Sequence, residues 1–482
     1  MSPLWRKSVN MANVLLTLLL IVSLSFSDAN AKDYYVAQNG IDDNDGSENK
    51  PWRSIQQAAR TAQAGDTVFI KNGTYIERVT VHNSGSSGNY IIFKEYPGHT
   101  VILDGTGHAG WHGVFSIYGK DYIKLQDLEI RNNRIGWGVL VEHAQGNVNK
   151  SATHVELSGL EVHHTGGEAI QVRGNASNIL IKNCLVHDAD RPSGIDIYQW
   201  DGGRPKHVTV RGCMAYNYPD FAGISSEQAD NLTIENNISY RNELGIDIGS
   251  GDNNIIRNNM IYDCLTRIAL SSNENSDVYH NTIFNIKHEA MYSYYWSAHG
   301  EAHAGNKWHH NVIYNAGFGI YESNQKGTKG GVGLTSDHAY YHNLFYKIGI
   351  HGAYRTPFYF KGTIGIRFHR NTIYMNANYG VLEFLDGATG FELRNNIFSI
   401  RGNRSFIVMD RSSKPGALID ANCFHNRAGH ARGLGAHSTV GDPQFVDPAN
   451  NDFRLQKGSP CANAGADPAD IAQPRFIGEA IY

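Results

Sequence analysis

The chain has 482 residues, with 46 acidic and 42 basic side chains and a formal net charge of −4. This balance gives no electrostatic argument for binding nucleic acid, which ordinarily requires a basic patch or a strongly positive domain. The 51 glycines and 26 tyrosines are typical of a turn-rich β protein with many aromatic side chains.

Residues 1–31 have the three parts of a secretory signal peptide. Arg6 and Lys7 form the positive end, residues 14–24 the apolar stretch, and Ala29-Asn-Ala31 the small-residue cleavage site. A membrane anchor is the alternative, but the apolar stretch is shorter than the ~20 residues that a spanning helix needs. We predict secretion to the extracellular space or the periplasm, with no membrane association after removal of the signal peptide.

Residues 32–120 are predicted to form an N-terminal cap and the first rungs of a solenoid. Ser54 and Gln57 indicate a helix start, because a Ser cap with Gln three residues on satisfies free backbone groups. One face of this helix holds Ile55, Ala58, Ala59 and Ala62. We predict that the helix closes the open end of the solenoid, which would otherwise expose strand edges and core.

A repeat organises the central region, which we assign to residues 121–430. Ile234-Glu-Asn-Asn237 returns 22 residues later as Ile256-Arg-Asn-Asn259. The same asparagine slot recurs, 22 to 32 residues apart, at Asn281, Asn311, Asn343, Asn371, Asn396 and Asn422. A fixed core period with loops of variable length indicates a repeat architecture.

Each repeat carries three short strands and three turns. A single repeat cannot bury its own apolar face, so successive repeats must stack as parallel strands ~4.8 Å apart. An asparagine at one turn of every rung can bond to the backbone of its neighbours. The sequence therefore predicts an all-β fold, a right-handed parallel β-helix with an asparagine ladder.

Cys184 and Cys213 occupy the ladder slot on adjacent rungs. A disulfide between them and two stacked, buried thiols both fit this placement. The total of five cysteines is odd, so at least one is unpaired within the chain.

One strand of each rung carries candidate chemistry on its outer face. Isoleucines at alternate positions face the core, so the intervening residues face outward. The first outward position holds, rung by rung, Leu140, Gln171, Asp196, Ser225, Asp247, Ala269, Tyr292, Tyr321 and Tyr354. The second holds Glu142, Arg173, Tyr198, Glu227, Gly249, Ser271, Tyr294 and Ser323.

Asp196, Glu227 and Asp247 lie on three adjacent rungs of this column. The backbones of Asp196 and Asp247 should be roughly 9.6 Å apart, which is two strand spacings. Three crowded carboxylates call for a cation, a proton or a cationic substrate. They suit Ca²⁺ as oxygen ligands, and they also suit a glycosidase as acid and base. Solvated surface acids are the third possibility.

The longest insertions follow this strand, and insertions in a solenoid collect on the binding face. Aromatic side chains there are predicted to contact sugar rings, the alternative being that they pack on the solenoid wall. These are Trp200, Tyr294, Tyr295, Trp296 and Tyr321. Lys206, in the insertion after Asp196, is predicted to reach the same site.

Motifs at both ends of the chain resemble a known group of secreted proteins. The N-terminal motifs are Tyr34-Tyr-Val-Ala37, Asn39-Gly40, Pro51-Trp52, Ile55-Gln-Gln-Ala58, Ala64-Gly-Asp66-Thr-Val68 and Gly73-Thr-Tyr75. The C-terminal motifs, within a predicted cap or tail at 431–482, are Asp442-Pro-Gln-Phe-Val-Asp447, Asp452-Phe-Arg-Leu455 and Ser459-Pro-Cys-Ala-Asn-Ala-Gly465. They resemble family 9 pectate lyases and related β-helix polysaccharide lyases that cleave alginate and chondroitin. The resemblance implies a pectin-lyase-like solenoid with its site outside one strand column.

In family 9 pectate lyases a lysine is the base and aspartates hold calcium. The resemblance implies that Asp196 and Asp247 match those aspartates, but the outward column has no lysine. Tyr292 or Tyr294 is then the candidate base, and Arg267 the candidate clamp for the substrate carboxylate. Further candidates are Arg204, His288, His299 and His303.

The combined prediction is a secreted, monomeric lyase that cleaves a uronate-containing polysaccharide by β-elimination with Ca²⁺ as cofactor. A glycoside hydrolase using Asp196, Glu227 and Asp247 as acid and base is the first alternative. A uronate epimerase and a non-catalytic carbohydrate-binding surface protein are the others.

Overall fold

The computed structural model describes residues 31–189, 193–295, 302–324, 335–349, 356–376, 380–402, 405–426 and 435–466. Nearly all of the predicted signal peptide lies outside these ranges. In the part of the chain that is described, no helix has the length and apolarity to cross a membrane. The fold is a right-handed parallel β-helix of about 13 turns, as the repeat predicts.

Three parallel strand columns form the walls of the solenoid. The first sheet contains Asp33–Val36, Thr67–Ile70, Ile91–Glu95, Ile123–Gln126, Thr153–Ser158, Ser177–Lys182, Lys206–Arg211, Thr233–Glu235, Ile255–Arg257, Asp277–Tyr279, Lys307–His309, Ala339–Tyr341, Arg367–His369, Glu392–Arg394 and Leu418–Asp420.

The second sheet contains Gly73–Ile76, Val101–Asp104, Glu129–Asn133, Glu161–Thr165, Leu185–His187, Met214–Tyr216, Ile238–Tyr240, Met260–Tyr262, the first parts of Thr282–Tyr295 and Val312–Asn324, then Leu344–Ile348, Thr372–Asn376, Ile397–Arg401, Cys423–Asn426 and Thr439–Val440.

The third sheet contains Val79–Thr80, Phe115–Tyr118, Val139–Glu142, Ile170–Arg173, Ile195–Tyr198, Ala222–Glu227, Leu244–Gly249, Thr266–Ser271, the second parts of Thr282–Tyr295 and Val312–Asn324, then Phe358–Lys361, Leu382–Leu385 and Ile407–Met409. The two long strands run from the second sheet into the third, with an irregularity between Ile286 and Glu289. Two short pairs complete the strands: His303–Ala304 with Thr335–Ser336, and Phe445–Asp447 with Asp452–Leu455.

The asparagine ladder is confirmed. Asn237 Nδ2 donates to Asn259 Oδ1 at 3.0 Å and to the Val210 carbonyl at 3.0 Å. The residue before each ladder asparagine adopts positive φ, 57° at Asn236 and 56° at Asn258, which turns the chain from the first sheet into the second. The same donor–acceptor pattern continues through Asn281, Asn311, Asn343, Asn371, Asn396 and Asn422.

Cys184 and Cys213 are free, buried thiols, so the stacked arrangement is the one that forms. Cys213 extends the ladder, because its backbone N–H donates to Asn237 Oδ1 at 2.9 Å. The disulfide joins Cys423 to Cys461 instead, a pairing that the sequence did not indicate.

The predicted helix spans Ile55–Thr61, and Ser54 Oγ accepts from the Gln57 N–H at 3.1 Å. Its apolar face joins the core of the solenoid through Ile55, Ala58, Ala59 and Ala62. That this helix closes the end of the solenoid stays a prediction. Two 3₁₀ turns, Arg411–Ser413 and Pro448–Asn450, are the other helical elements of the described residues.

Residues 441–466 fold back along the outside of the second sheet. Phe453 packs against Tyr346 and Tyr374, with ring centroids 5.1 and 5.2 Å away. The Cys423–Cys461 disulfide ties this segment to the second sheet, and Gly465 N donates to the Asn395 carbonyl at 2.6 Å. The segment therefore covers part of the outer face of the second sheet. It does not cover the outer face of the third sheet.

Candidate active site

Strand register in the third sheet confirms the predicted outward column. Gln171, Asp196, Ser225 and Asp247 are successive backbone partners. The column continues through Ala269, Tyr292 and Tyr321. One assignment is wrong: the next partner of Tyr321 is Tyr359. Tyr354 lies outside the described residues, and the variable spacing between rungs hid the register.

Asp196 is held at the centre of the acidic part of the column. It is only 8% exposed, Ser225 Oγ donates to its Oδ1 at 2.6 Å, and Gln171 Nε2 donates to its Oδ2 at 3.2 Å. Burial, followed by the charge of Glu168, raises the pKa of Asp196 to about 7. A carboxyl with this pKa retains a proton at neutral pH in a large fraction of molecules.

Asp247 lies two rungs from Asp196 in a different environment. Burial raises the pKa of Asp247, and the nearby Arg267 guanidinium opposes that rise. Asp247 Oδ1 is buried and accepts no hydrogen bond from the described residues. Arg267 lies over the Tyr292 ring, 4.3 Å from its centroid, and its Nη1 donates to Thr266 Oγ1 at 3.3 Å. The structure thus brings together Asp247, Arg267 and Tyr292, as the sequence predicts.

Glu227 is half-buried on the rung between these aspartates, and its charge raises the pKa of both. No three His, Cys, Asp or Glu side chains of the described residues cluster so as to hold a metal ion. Both carboxylate oxygens of Asp196 are already occupied by protein donors. Calcium binding by Asp196, Glu227 and Asp247 stays a prediction.

Three residues that the sequence analysis did not single out complete the site. The Arg173 guanidinium is sandwiched between Trp137 and Trp200, 4.3 and 4.6 Å from their ring centroids. Trp137 Nε1 donates to Glu168, whose pKa is raised by burial. Trp137 and Glu168 lie before their strands, so the alternating pattern does not include them. Arg173 is part of the outward column, where the sequence shows it.

Three of the predicted aromatic contacts with substrate have different surroundings. Trp200 is 45% exposed and sits at a tight turn, with its N–H donating to the Gly203 carbonyl at 3.1 Å. Tyr294 stacks on Tyr292 at 4.4 Å, and burial raises the pKa of Tyr294 to about 12. Tyr321 faces outward and stacks on Tyr359 at 5.0 Å.

The other three predicted substrate contacts either lie off this face or lie outside the described residues. Tyr295 is 5% exposed and belongs to the wall, because it continues the inward alternation of buried Met291 and Ser293. Lys206 begins the strand Lys206–Arg211 of the first sheet, paired with Ser177, so it does not lie on the third-sheet face. Trp296 lies outside the described residues.

Other predicted candidates also lie away from this face. Arg204 binds Asp230 at 2.7 Å and the Ser250 carbonyl at 2.8 Å. His303 is fully buried inside the solenoid, where its Nε2 lies 2.8 Å from Ser293 Oγ. Neither side chain belongs to the outward column. His299 lies outside the described residues.

Residues 34–254 match the family model described as "Pel9A-like, right handed beta helix region". Residues 205–336 also match the more general model "Right handed beta helix region". The two matches overlap across the rungs that carry Glu227 and Asp247, so both descriptions apply to the candidate site.

The chain resembles several known proteins over parts of their length. It is 27% identical over 208 residues to pectate lyase PEL9 of Emericella nidulans, covering 39% of this chain and 48% of that protein. It is 34% identical over 129 residues to the uncharacterized protein YwoF of Bacillus subtilis, covering 25% and 28%. The chain therefore spans less than half of each of these relatives.

A solved structure supports the fold. The PL6 family alginate lyase AlyGC superposes with a TM-score of 0.50 at 14% identity, covering 88% of this chain and 56% of that chain. At this identity the likeness concerns the β-helix alone.

Proposed function

We propose that the protein is a polysaccharide-active enzyme that cleaves glycosidic bonds by hydrolysis on the outer face of the third sheet. Asp196 acts as the proton donor, and Asp247 as the carboxylate that activates water. The similarity to pectate lyase PEL9 supports a polysaccharide substrate. The observation that supports hydrolysis is that Asp196 and Asp247 lie in one column, two rungs apart, in different surroundings.

Asp196 suits an acid because its pKa of about 7 allows it to hold and release a proton near neutrality. Asp247 suits a base because the adjacent Arg267 guanidinium favours its ionised form. Two strand spacings place their backbones about 9.6 Å apart, close to the wide carboxyl separation of inverting glycosidases. Such a separation leaves room for a water molecule.

In the proposed hydrolysis, the Asp196 proton passes to the glycosidic oxygen as the bond between that oxygen and the anomeric carbon breaks. Asp247 takes a proton from water, whose oxygen bonds to that carbon from the opposite face. The net reaction adds one water across the bond and transfers protons between the two carboxyls through solvent, so neither carboxyl is consumed.

Elimination is the second candidate, favoured by the Arg267–Tyr292 pair and by the name of the pectate lyase relative. There Tyr292, as its phenolate, removes the C5 proton beside a uronate carboxylate that Arg267 neutralises. The C4–C5 double bond forms as the C4–O glycosidic bond breaks, and the leaving oxygen takes a proton from solvent. Calcium as a cofactor stays a prediction, and it has no part in either proposed step.

Incubation with a panel of polysaccharides separates these functions. New reducing ends without ultraviolet absorbance of unsaturated sugars support hydrolysis, whereas absorbance of unsaturated ends supports elimination. Silence in both measurements across the panel contradicts cleavage of either kind. The predicted signal peptide and the Cys423–Cys461 disulfide support our further proposal of secretion, since disulfides persist in oxidising compartments.

A further inference from the structure

The N-terminal end of the acidic column carries a rigid aromatic surface. The N–H and the carbonyl of Trp200 both bond to Gly203, at 3.1 and 2.8 Å, across the two-residue turn Asp201-Gly202. Asp201 and Gly202 adopt positive φ, 51° and 77°, as such a tight turn requires. Trp200 therefore presents its ring in a fixed position, and 45% of the residue stays exposed.

A second exposed tryptophan lies on the same stack. Trp111 is 63% exposed, and its ring centroid lies 5.7 Å from that of Trp137. Trp137 in turn contacts the Arg173 guanidinium, which contacts Trp200. The two exposed indoles, linked through Trp137 and Arg173, offer apolar area of the kind that the faces of sugar rings bury.

The Arg173 guanidinium of this stack is already paired with a protein carboxylate. Arg173 Nε and Nη2 both donate to Glu142 Oε2, at 3.0 and 2.9 Å. Its remaining terminal nitrogen, Nη1, donates to Gln171 Oε1 at 3.2 Å. A substrate carboxylate beside Trp200 would have to share the Arg173 charge with Glu142, which that charge already neutralises.

The strands around Trp200 carry more acidic than basic side chains. The six strands from Val139–Glu142 to Thr266–Ser271 contain four carboxyls and two guanidiniums, and Glu168 adds a fifth carboxyl beside them. Asp196 already responds to Glu168 and Glu227 by holding its proton more tightly. A further anion in this place would be repelled, because like charges at a partly buried site cost binding energy.

We infer that Trp200, with the Trp137–Arg173 stack beneath it and Trp111 beyond, forms a sugar-binding subsite for uncharged pyranose residues. The part of the polysaccharide bound next to Asp196 is thus neutral, and a uronate at this position is excluded. This inference rests on the proposed carbohydrate site, and it differs from the uronate-containing substrate that the sequence predicts.

The test measures binding by calorimetry with the full-length protein and three uronans, namely polygalacturonate, alginate and rhamnogalacturonan. Each is compared with its carboxyl-reduced form, which keeps the linkages and removes the charge. Neutral xylan, glucomannan and β-glucan complete the panel. Every titration is run once in chelator and once with added calcium, since calcium could bridge a uronate to the acidic column.

The expected result is binding of at least one uncharged polymer about tenfold tighter than its charged counterpart. Trp200→Ala should weaken that binding at least about tenfold, as removal of a central aromatic anchor does, with an unchanged thermal melt. Tyr90→Ala is the matched control, because Tyr90 also stacks with a cation, Lys124 Nζ at 4.6 Å, but on the first sheet.

Tighter binding of a uronan than of its reduced form, with or without calcium, overturns the inference. So does neutral-polymer binding that survives Trp200→Ala, or the absence of binding across the panel. If an uncharged polymer binds through Trp200 but releases neither reducing nor unsaturated ends, the subsite stands and the proposed cleavage fails.

Discussion

Ser225 Oγ donates a 2.6 Å hydrogen bond to Asp196 Oδ1 across one rung of the third sheet. This bond lowers the pKa of Asp196 against the larger effect of burial, which raises it to about 7. Removing the hydroxyl in Ser225→Ala should therefore raise the pKa of Asp196. Since the proposed role of Asp196 requires its proton, the alkaline limb of kcat/KM against pH should move to higher pH.

Gln171→Leu serves as the companion variant, because the Gln171 amide also lowers the pKa of Asp196. Both variants should move the limb in the same direction. Identical pH profiles for wild type and both variants would remove Asp196 as the proton donor.

Asp247→Asn tests the second carboxyl. An amide cannot accept the proton from water, so the rate should fall by about 10²- to 10⁴-fold. If Asp247 acts as a base, chelation should leave the wild-type rate unchanged, and added calcium should not rescue the variant. Asp220→Asn is the control, since Asp220 is an exposed carboxylate outside the column. Calcium-dependent rescue of Asp247→Asn would instead identify Asp247 as a metal ligand.

Asn259→Leu tests the ladder. Asn259 Oδ1 accepts from Asn237, and its Nδ2 donates to the Ile234 carbonyl at 2.9 Å and to Asn281 Oδ1 at 3.0 Å. Leucine leaves these buried groups unpaired, which should lower the free energy of unfolding by about 1–3 kcal/mol. Urea denaturation measures the change, and exposed Asn149→Leu should have little effect. Equal stability of the two variants would argue against the ladder's energetic role.

His303 predicts an acid-sensitive stability. It is fully buried, accepts from the Asn273 N–H at 3.0 Å, and burial lowers its pKa well below the ordinary value. Below the unfolded pKa, near 6.5, the unfolded chain binds a proton that the folded chain does not. The stability contributed above that pH is therefore lost as the pH falls.

The slope attributable to His303 approaches about 1.4 kcal/mol per pH unit for one proton. His303→Asn should thus show a smaller loss of unfolding free energy between about pH 7 and 5. His207→Asn is the control, because His207 is exposed at a positive φ that asparagine tolerates. A pH dependence unchanged by His303→Asn would assign the acid sensitivity to other groups.

The sequence by itself determined the rungs, the asparagine ladder and the outward column through Asp196, Asp247 and Tyr321. The physical reason is that strand alternation fixes which side chains face outward, while parallel pairing aligns equivalent positions of successive rungs. Strand alternation did not predict the register where the spacing between rungs was long, because spacing does not encode register. Tyr359 therefore occupies the outward position that was predicted for Tyr354.

Only the tertiary structure decided which side chains meet across rungs. Arg173 packs between Trp137 and Trp200, although these residues are far apart in sequence and two of them lie outside regular strand alternation. Burial likewise separates exposed from wall tyrosines and raises the pKa of Asp196 to about 7, because desolvation depends on every surrounding rung. Sequence periodicity determines the face of the sheet on which a side chain lies. Turn conformation and packing determine which groups its polar end contacts.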